Sequence, residues 1–127
     1  VDFFSIGTND LTQYIMAADR TNAGVAPLLT GLQPAVLRLA SDTIAAAHAH
    51  GIRVGMCGEL AAEPLAIRIL LGLGLDEFSM NPPAIPRAKQ IIRHLSRAEA
   101  RALAEDVLQL DDPRAIKQMA RSFVNHV

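Results

Sequence analysis

The stretch VDFFSIGTND, residues 1–10, decides the fold because it contains an abrupt change of pattern. Residues 1–6 are mostly apolar on consecutive positions, as in strands that are buried on both faces. Residues 7–10 are turn-forming, which predicts the end of the strand. A helical pattern follows over residues 11–18. The opening therefore predicts a buried strand that leads through a short loop into a helix.

The same pattern occurs twice more along the chain. Residues 52–56 and 77–80 predict two further strands, each followed by a polar exit loop and a helix. Strands that alternate with helices predict an α/β fold with a parallel sheet. Three strands are few for an independent sheet, but they could form the last portion of a (β/α)8 barrel. A complete barrel of this kind needs about 250 residues. We therefore expect the last three βα units of a (β/α)8 TIM barrel, with extra C-terminal helices; an open, doubly wound fragment is the alternative.

Proline, glycine and capping residues indicate where the helices begin and end. Pro34, Pro64 and Pro86 each fit the first turn of a helix, and these helices reach about residues 50, 71 and 95. The first of them carries an apolar face made of Val36, Leu37, Ala40, Ile44 and Ala47. Further expected signals are Gly72 and Gly74 as a helix stop, a capping box of Ser96 and Glu99 for residues 97–110, and Asp112 as the cap of a last helix that runs to the C-terminus.

Composition excludes several classes of protein. The 127 residues include 12 basic and 13 acidic side chains, and only 4% are aromatic, so we expect no nucleic-acid binding. The most apolar stretch, residues 65–75, is too short to span a membrane and contains Arg68, so we expect no membrane insertion. Cys57 is the single cysteine, which favours a reducing compartment and a cytoplasmic location.

Polar residues follow each predicted strand, at the edge where reactive groups gather in parallel α/β folds. They are Asn9 and Asp10 after the first strand, Cys57, Gly58 and Glu59 after the second, and Ser79 and Asn81 after the third, with Arg20 beyond the first helix. Each has a structural alternative: Asn9 and Asp10 suit a helix cap, and a lone cysteine is usually a small core residue.

The chemistry of these residue types suits a cation at Asp10 and an anionic group at Arg20. Asp10 fits a hard cation only with a second carboxylate, either Glu59 or one upstream of Val1. Arg20 offers a fork of donors for phosphate or carboxylate. Cys57 could act as an acid or as a nucleophile, and a thiol that is mostly protonated at neutral pH suits proton donation; the flanking Gly55 and Gly58 let the backbone approach a ligand.

The same segments carry a family resemblance. FSIGTNDLTQY at residues 4–14, Asp19-Arg20, GMCGELA at 55–61, GLGLDEFSM at 72–80 and IPR at 85–87 follow in order over nearly the whole chain. Together they resemble the C-terminal part of the enzyme I family of the phosphotransferase system, the phosphoenolpyruvate-protein phosphotransferases. Pyruvate phosphate dikinase and phosphoenolpyruvate synthase share part of these motifs, whereas Leu60-Ala61 and the IPR run favour enzyme I. A stand-alone enzyme and a fused multiphosphoryl transfer protein both remain open.

The resemblance implies a barrel that binds phosphoenolpyruvate and transfers its phosphoryl group to a protein histidine, releasing pyruvate in the first step of the sugar phosphotransferase system. It implies that Asn9 binds the phosphoryl group, that Asp10 ligates Mg2+ and that Arg20 contacts the substrate. It makes Cys57 the acid that protonates the enolate carbon. Gly58 and Glu59 are further candidates for this site.

The resemblance also implies that much of the site lies upstream. The chain begins with Val1 inside a predicted strand, so we expect residues 1–127 to be the C-terminal portion of the barrel domain and to be inactive alone. The remaining barrel strands, the phosphorylated histidine domain and the contact with the histidine phosphocarrier protein are then upstream. We further expect a homodimer, and bare faces at Phe3, Phe4, Ile6, Val54 and Phe78. The rival hypothesis is a non-catalytic dimerisation or regulatory module.

Overall fold

Three parallel strands form one sheet in the order β1-β2-β3. In the computed structural model, which describes residues 1–29 and 32–123, β1 is Phe3–Gly7, β2 is Arg53–Cys57 and β3 is Glu77–Phe78. The predicted α/β class and parallel pairing are confirmed. β1 begins two residues later than predicted and β2 one residue later, and both end one residue later, so that Gly7 lies opposite Cys57 in the ladder.

The described ranges also contain seven helices, together with 3-10 turns at Ala26–Leu29 and Pro82–Ala84. The helices are α1 Thr8–Met16, α2 Pro34–Ala49, α3 Glu59–Ala62, α4 Pro64–Leu73, α5 Ile85–Arg93, α6 Arg97–Val107 and α7 Pro113–Ser122. Residues 124–127, over which the last helix was also predicted, lie outside the described residues.

The local helix signals are confirmed. The five apolar residues predicted for one face of α2 are its buried residues. Ser96 accepts a hydrogen bond from the backbone N–H of Glu99 at 3.2 Å, and the Glu99 carboxylate accepts from the N–H of Ser96 at 3.0 Å. Asp112 accepts from the N–H of Arg114 at 2.9 Å and caps α7. These features depend on residues close in the sequence, which is why the sequence shows them.

The prediction that the first strand is buried is wrong. Of its five residues only Ile6 is buried, while Phe3 is 69% exposed and Phe4 is 41% exposed. The prediction of bare faces is also wrong for Ile6 and Val54, which belong to the core beneath the helices. Successive side chains point to opposite faces of a strand, so one face of this sheet is covered by helices and the other is open.

Gly72 is not a helix stop. It lies inside α4, and a Cβ atom there would overlap the backbone carbonyl of Ala100 and meet the Cβ of Ala104 at 2.8 Å. The absence of a side chain therefore allows α4 and α6 to cross at very short range. Gly74 does end α4, as predicted, in the left-handed conformation at φ 92°.

A hydrogen-bonded group holds the amino end of β2. Asp76 Oδ2 lies 2.8 Å from His48 Nε2 and accepts a second hydrogen bond, also of 2.8 Å, from the backbone N–H of Val54. The hydrogen bond with His48, followed by the one from Val54, lowers the pKa of Asp76 below its ordinary value. The pair thereby fastens the C-terminal turn of α2 to the start of β2.

Candidate functional site

The exits of β1 and β2 lie side by side. β1 ends at Gly7, β2 ends at Cys57, and these two residues are paired in the parallel ladder. Because parallel strands end at the same edge of a sheet, the residues that follow them lie on one edge. This carboxyl edge therefore carries Asn9 and Asp10 from one strand exit and Gly58 and Glu59 from the other.

Two side chains fasten these exits to each other. The hydroxyl of Thr8 donates a hydrogen bond to the carbonyl oxygen of Cys57 at 3.0 Å. The backbone N–H of Glu59 donates to Asn9 Oδ1 at 3.1 Å. The capping alternative for Asn9 and Asp10 is wrong, because Gly7 is the N-cap of α1 without any side-chain cap and both residues lie in the first helical turn.

Gly58 lies where no side chain fits. Its φ of 101° is strained for any residue that carries a Cβ. A Cβ at this position would also lie 2.5 Å from the Thr8 hydroxyl oxygen and 3.0 Å from Asn9 Oδ1. The turn from Cys57 to Glu59 thus packs directly against the side chains that hold it.

A cavity of about 170 Å3 opens beside these exits, and its walls include Asn9, Arg20 and Glu59. Since Asn9 Oδ1 accepts the hydrogen bond from Glu59, the other end of this amide is its NH2 group, whose hydrogens have no partner among the described residues. An amide NH2 group and a guanidinium are both hydrogen-bond donors. Together they supply the donors that an anionic group requires, and the walls of the same cavity also include the carboxylates of Glu59 and Glu63.

Two hydrogen bonds to side chains hold the main chain of the loop that carries Arg20. The backbone N–H of Arg20 donates to Gln13 Oε1 at 3.0 Å, and the N–H of Thr21 donates to Asp19 Oδ1 at 2.8 Å. The hydrogen bond from the Thr21 backbone is the largest of the effects that lower the pKa of Asp19 below its ordinary value, and the Thr21 side chain adds to it. Gln13 and Asp19 thereby determine where the main chain at Arg20 lies.

Asp10 and Cys57 lie on the same edge but are not in the walls of this cavity. Asp10 is exposed in the first turn of α1. Cys57 is a half-buried free thiol at the last position of β2. Ser79 joins the edge through its N–H, which donates to the Met56 carbonyl at 2.8 Å. Over residues 1–29 and 32–123, no three His, Cys, Asp or Glu side chains are grouped so that they could hold a metal ion.

A larger cavity, of about 400 Å3, lies on the open face of the sheet. Its walls include Phe3, Ser5, Arg53, Gly55 and Glu77. Ser79 of the carboxyl edge also lines it, but no residue lines both this cavity and the one at Asn9 and Arg20, so the two are distinct.

Sequence reasoning missed three residues of this edge: Thr8, Gln13 and Glu63. Thr8 is 1% exposed and connects the two exits, while Gln13 and Glu63 line the smaller cavity. A hydroxyl residue directly after a strand is a detectable signal, because it can accept or donate where the ladder ends. Gln13 and Glu63 have no comparable signal, since helix packing alone brings them to the cavity.

No helix of the described part of the chain combines the length and the apolar character that crossing a membrane requires.

Comparison with known proteins identifies the family. Residues 1–97 match the family model described as "PEP-utilising enzyme, PEP-binding domain". The chain is 50% identical over 126 residues to a "Phosphoenolpyruvate-protein phosphotransferase" of Buchnera aphidicola, covering 99% of this chain and 22% of that protein. It is 57% identical over 110 residues to a protein of the same name from a Bacillus species, covering 87% of this chain and 19% of the relative.

The protein of this name from Haemophilus influenzae is 48% identical over 124 residues, which cover 98% of this chain and 22% of the relative. The chain thus spans about a fifth of the length of these curated relatives. The family match covers most of the chain and includes all of the strand exits. The resemblance predicted from the sequence is confirmed, and the chain belongs to the PEP-utilising enzymes as part of their phosphoenolpyruvate-binding domain.

Proposed function

We propose that this chain is the phosphoenolpyruvate-binding part of a phosphotransferase that moves the phosphoryl group of phosphoenolpyruvate to a protein histidine. Pyruvate is the second product, and the reaction is the first step of sugar uptake by the phosphotransferase system. The observation that carries the proposal is the shared cavity of Asn9 and Arg20 beside the exits of β1 and β2. The name of the relatives favours this reaction over that of pyruvate phosphate dikinase or phosphoenolpyruvate synthase.

In this proposal the donors of the cavity bind the phosphoryl group. The guanidinium of Arg20 and the NH2 group of Asn9 donate to phosphoryl oxygens, which offsets their negative charge. The bond between phosphorus and the enol oxygen breaks, and its electron pair remains on that oxygen to give the enolate of pyruvate. The thiol of Cys57 then gives its proton to C3 of the enolate. Gly58 lets the turn beside the thiol pack directly against Thr8 and Asn9, and the N–H of Glu59 maintains the position of Asn9.

Asp10 fits Mg2+ as one carboxylate ligand. Mg2+ is usually held by one or two carboxylates together with substrate phosphate oxygens and water, so a single exposed carboxylate of this chain is compatible with such a site. A second carboxylate would come from the upstream part of the protein. The ion would neutralise charge on the transferring group. Asp10 itself makes no ion pair within the described ranges, which leaves its oxygens available.

We also propose that the sheet forms the last three βα units of a (β/α)8 barrel. The open face of β1, where Phe3 is 69% exposed, would then be covered by the opposite side of the barrel. The upstream part would supply the other strands, the phosphorylated histidine domain and the contact with the histidine phosphocarrier protein. A cytoplasmic homodimer that associates through its C-terminal portion completes the proposal.

Substitution of Cys57 tests the proposed reaction. In the full-length protein, Cys57→Ala removes the acid and should lower pyruvate formation at least about 1000-fold, while phosphoenolpyruvate still binds with nearly unchanged affinity. Pyruvate release and binding of phosphoenolpyruvate are measured separately, by a coupled assay and by calorimetry. Wild-type turnover in this variant would contradict the role of Cys57.

Asn9→Asp tests the binding role of the amide. The new carboxylate still accepts the hydrogen bond from Glu59, but it replaces two donors by a negative charge. We expect phosphoenolpyruvate affinity to fall about 100-fold or more, with little change in the free energy of unfolding. Asn9→Ala is the matched comparison, because it also removes the bond to Glu59 and should destabilise the edge. Unchanged affinity in Asn9→Asp would favour the non-catalytic module.

A further inference from the structure

We propose that Thr8 is a positioning residue for Cys57, whose hydroxyl holds the last residue of β2 so that the thiol is presented at the carboxyl edge. The proposal rests on the proposed role of Cys57 as the acid. Thr8 itself is 1% exposed, so it does not reach a substrate and acts only through its neighbour.

The argument begins with the end of the backbone ladder. Gly7 and Cys57 are the last paired residues of β1 and β2, and helix α1 begins at Thr8. The main chain of β1 therefore turns away just where the carbonyl of Cys57 needs a partner. The Thr8 hydroxyl takes this place at 3.0 Å and satisfies the carbonyl. An unsatisfied carbonyl at a half-buried position would be costly, so this bond strongly favours one orientation of the Cys57 peptide group.

The carbonyl carbon of Cys57 and its Cβ, which carries the thiol, are bonded to the same Cα atom. When the peptide group of Cys57 is oriented, the direction of its Cβ is therefore limited as well. Alternation along β2 places Val54 and Met56, which are 0% and 1% exposed, in the core. Gly55 and Cys57 belong to the open face, and both are half-buried. Alternation along the strand thus directs the thiol away from the core, and the hydrogen bond from Thr8 limits the orientations of the Cys57 main chain that carries it.

The following turn is held from the same side. The oxygen of Thr8 would lie 2.5 Å from a Cβ at Gly58, and Asn9 accepts the N–H of Glu59 at 3.1 Å. Thr8 therefore contacts the turn both by its hydrogen bond and by packing. Loss of the hydroxyl should loosen residues 57–59 while the first turn of α1 stays intact, because the hydrogen bond from Thr12 to the Thr8 carbonyl, at 2.6 Å, does not involve the Thr8 side chain.

The experiment compares three variants of the full-length protein. Thr8→Val keeps the shape of the side chain and removes the donor, whereas Thr8→Ser keeps the donor. Thr43→Val is the matched control, since the Thr43 hydroxyl donates to the Leu39 carbonyl at 2.8 Å within α2 and away from the edge. We expect Thr8→Val to lower kcat about 10- to 100-fold with KM nearly unchanged, and Thr8→Ser to stay within about threefold of wild type.

A second readout does not depend on turnover. The rate at which iodoacetamide alkylates Cys57 is followed by mass spectrometry of the peptide that contains it. In Thr8→Val this rate should rise about 3- to 10-fold, because the end of β2 opens more often, while Thr8→Ser and Thr43→Val should match wild type. If valine prevents folding, Thr8→Ala removes the same hydroxyl without adding a methyl group and carries the test.

The outcomes separate this proposal from the proposed function. Wild-type turnover in Cys57→Ala would overturn the acid role of Cys57 and, with it, the purpose assigned to Thr8. An inactive Cys57→Ala together with wild-type kcat and alkylation in Thr8→Val would overturn the positioning role alone. Equal loss of kcat in Thr8→Ser and Thr8→Val would also overturn it, since the donor would then be irrelevant.

Discussion

Two glycines of this chain have no room for a side chain, and their surroundings differ in kind. At Gly58 the obstacle consists of the side chains of Thr8 and Asn9, which hydrogen-bond the strand exits together. At Gly72 the obstacle is the backbone carbonyl of Ala100, where α4 and α6 cross. Polar side chains therefore organise the carboxyl edge, whereas close backbone contact organises the helix crossing.

The two regions also differ in burial. Ala100 and Ala104 of α6 are 0% and 2% exposed and pack on α4, whose buried residues include Ile69 and Leu70. Residues 57–59 at the edge are half-buried or exposed. Core packing contributes most of the free energy of folding, whereas binding groups must remain accessible. We therefore expect changes at the crossing to lower stability and changes at the edge to lower activity.

Gly72→Ala should give the largest loss of stability. The new Cβ overlaps the Ala100 carbonyl, so α6 has to move away from α4, and overpacking of this kind costs about 3 kcal/mol after the small gain in helix propensity. Urea unfolding of the full-length protein, with hydrogen exchange measured in α4 and α6, follows the change. Gly7→Ala is the control, because no atom lies within 4 Å of its Cβ. Equal stability of both variants would contradict the close crossing.

Gly58→Ala should show the opposite balance. The positive φ is unfavourable for alanine, and contacts of its Cβ with Thr8 and Asn9 displace the strand exits. We expect kcat/KM to fall about 100-fold, whereas the free energy of unfolding falls by only about 1 to 2 kcal/mol. Gly51→Ala is the matched control, since Gly51 has φ 68° but no atom within 4 Å of a Cβ. If both variants lost activity equally, backbone strain and not the organised edge would explain the effect.

Asp76→Asn should have the smallest effect on the free energy of unfolding. It should not change turnover, because the hydrogen bonds of Asp76 hold the end of β2 opposite to the carboxyl edge. The pKa of Asp76 is lower in the folded protein than its ordinary value of 3.8, so the ionised carboxylate stabilises the fold. This stabilisation is fully present above pH 3.8 and is lost as the pH falls through the lower pKa of the folded state. We expect the variant to be about 1 kcal/mol less stable than wild type at pH 7. This difference should shrink below pH 4 in urea titrations, and a difference independent of pH would contradict the ionic contribution.

Much of the secondary structure follows from neighbouring residues. The buried face of α2, the capping box of Ser96 and Glu99 and the end of α4 at Gly74 are all determined within a few positions of the sequence. The candidates Asn9, Asp10 and Cys57 were predicted from the sequence because turn-forming and reactive residues come at the ends of apolar strands. For Thr8 the sequence shows a hydroxyl residue at the end of a strand but not its partner, because the Cys57 carbonyl is 49 positions away.

The sequence by itself determined the α/β class, the parallel order of the elements, the family and the candidate residues Asn9, Asp10, Arg20 and Cys57. Tertiary structure alone decided that Asn9 and Arg20 share a cavity without Asp10 or Cys57, that β1 is largely exposed, and that Gly72 serves a helix crossing. The physical reason is the range of the interactions. Helix propensity, capping and periodicity depend on residues within one or two helical turns of each other. Cavity walls and close backbone contacts instead join residues that are far apart in the sequence, so no local pattern predicts them.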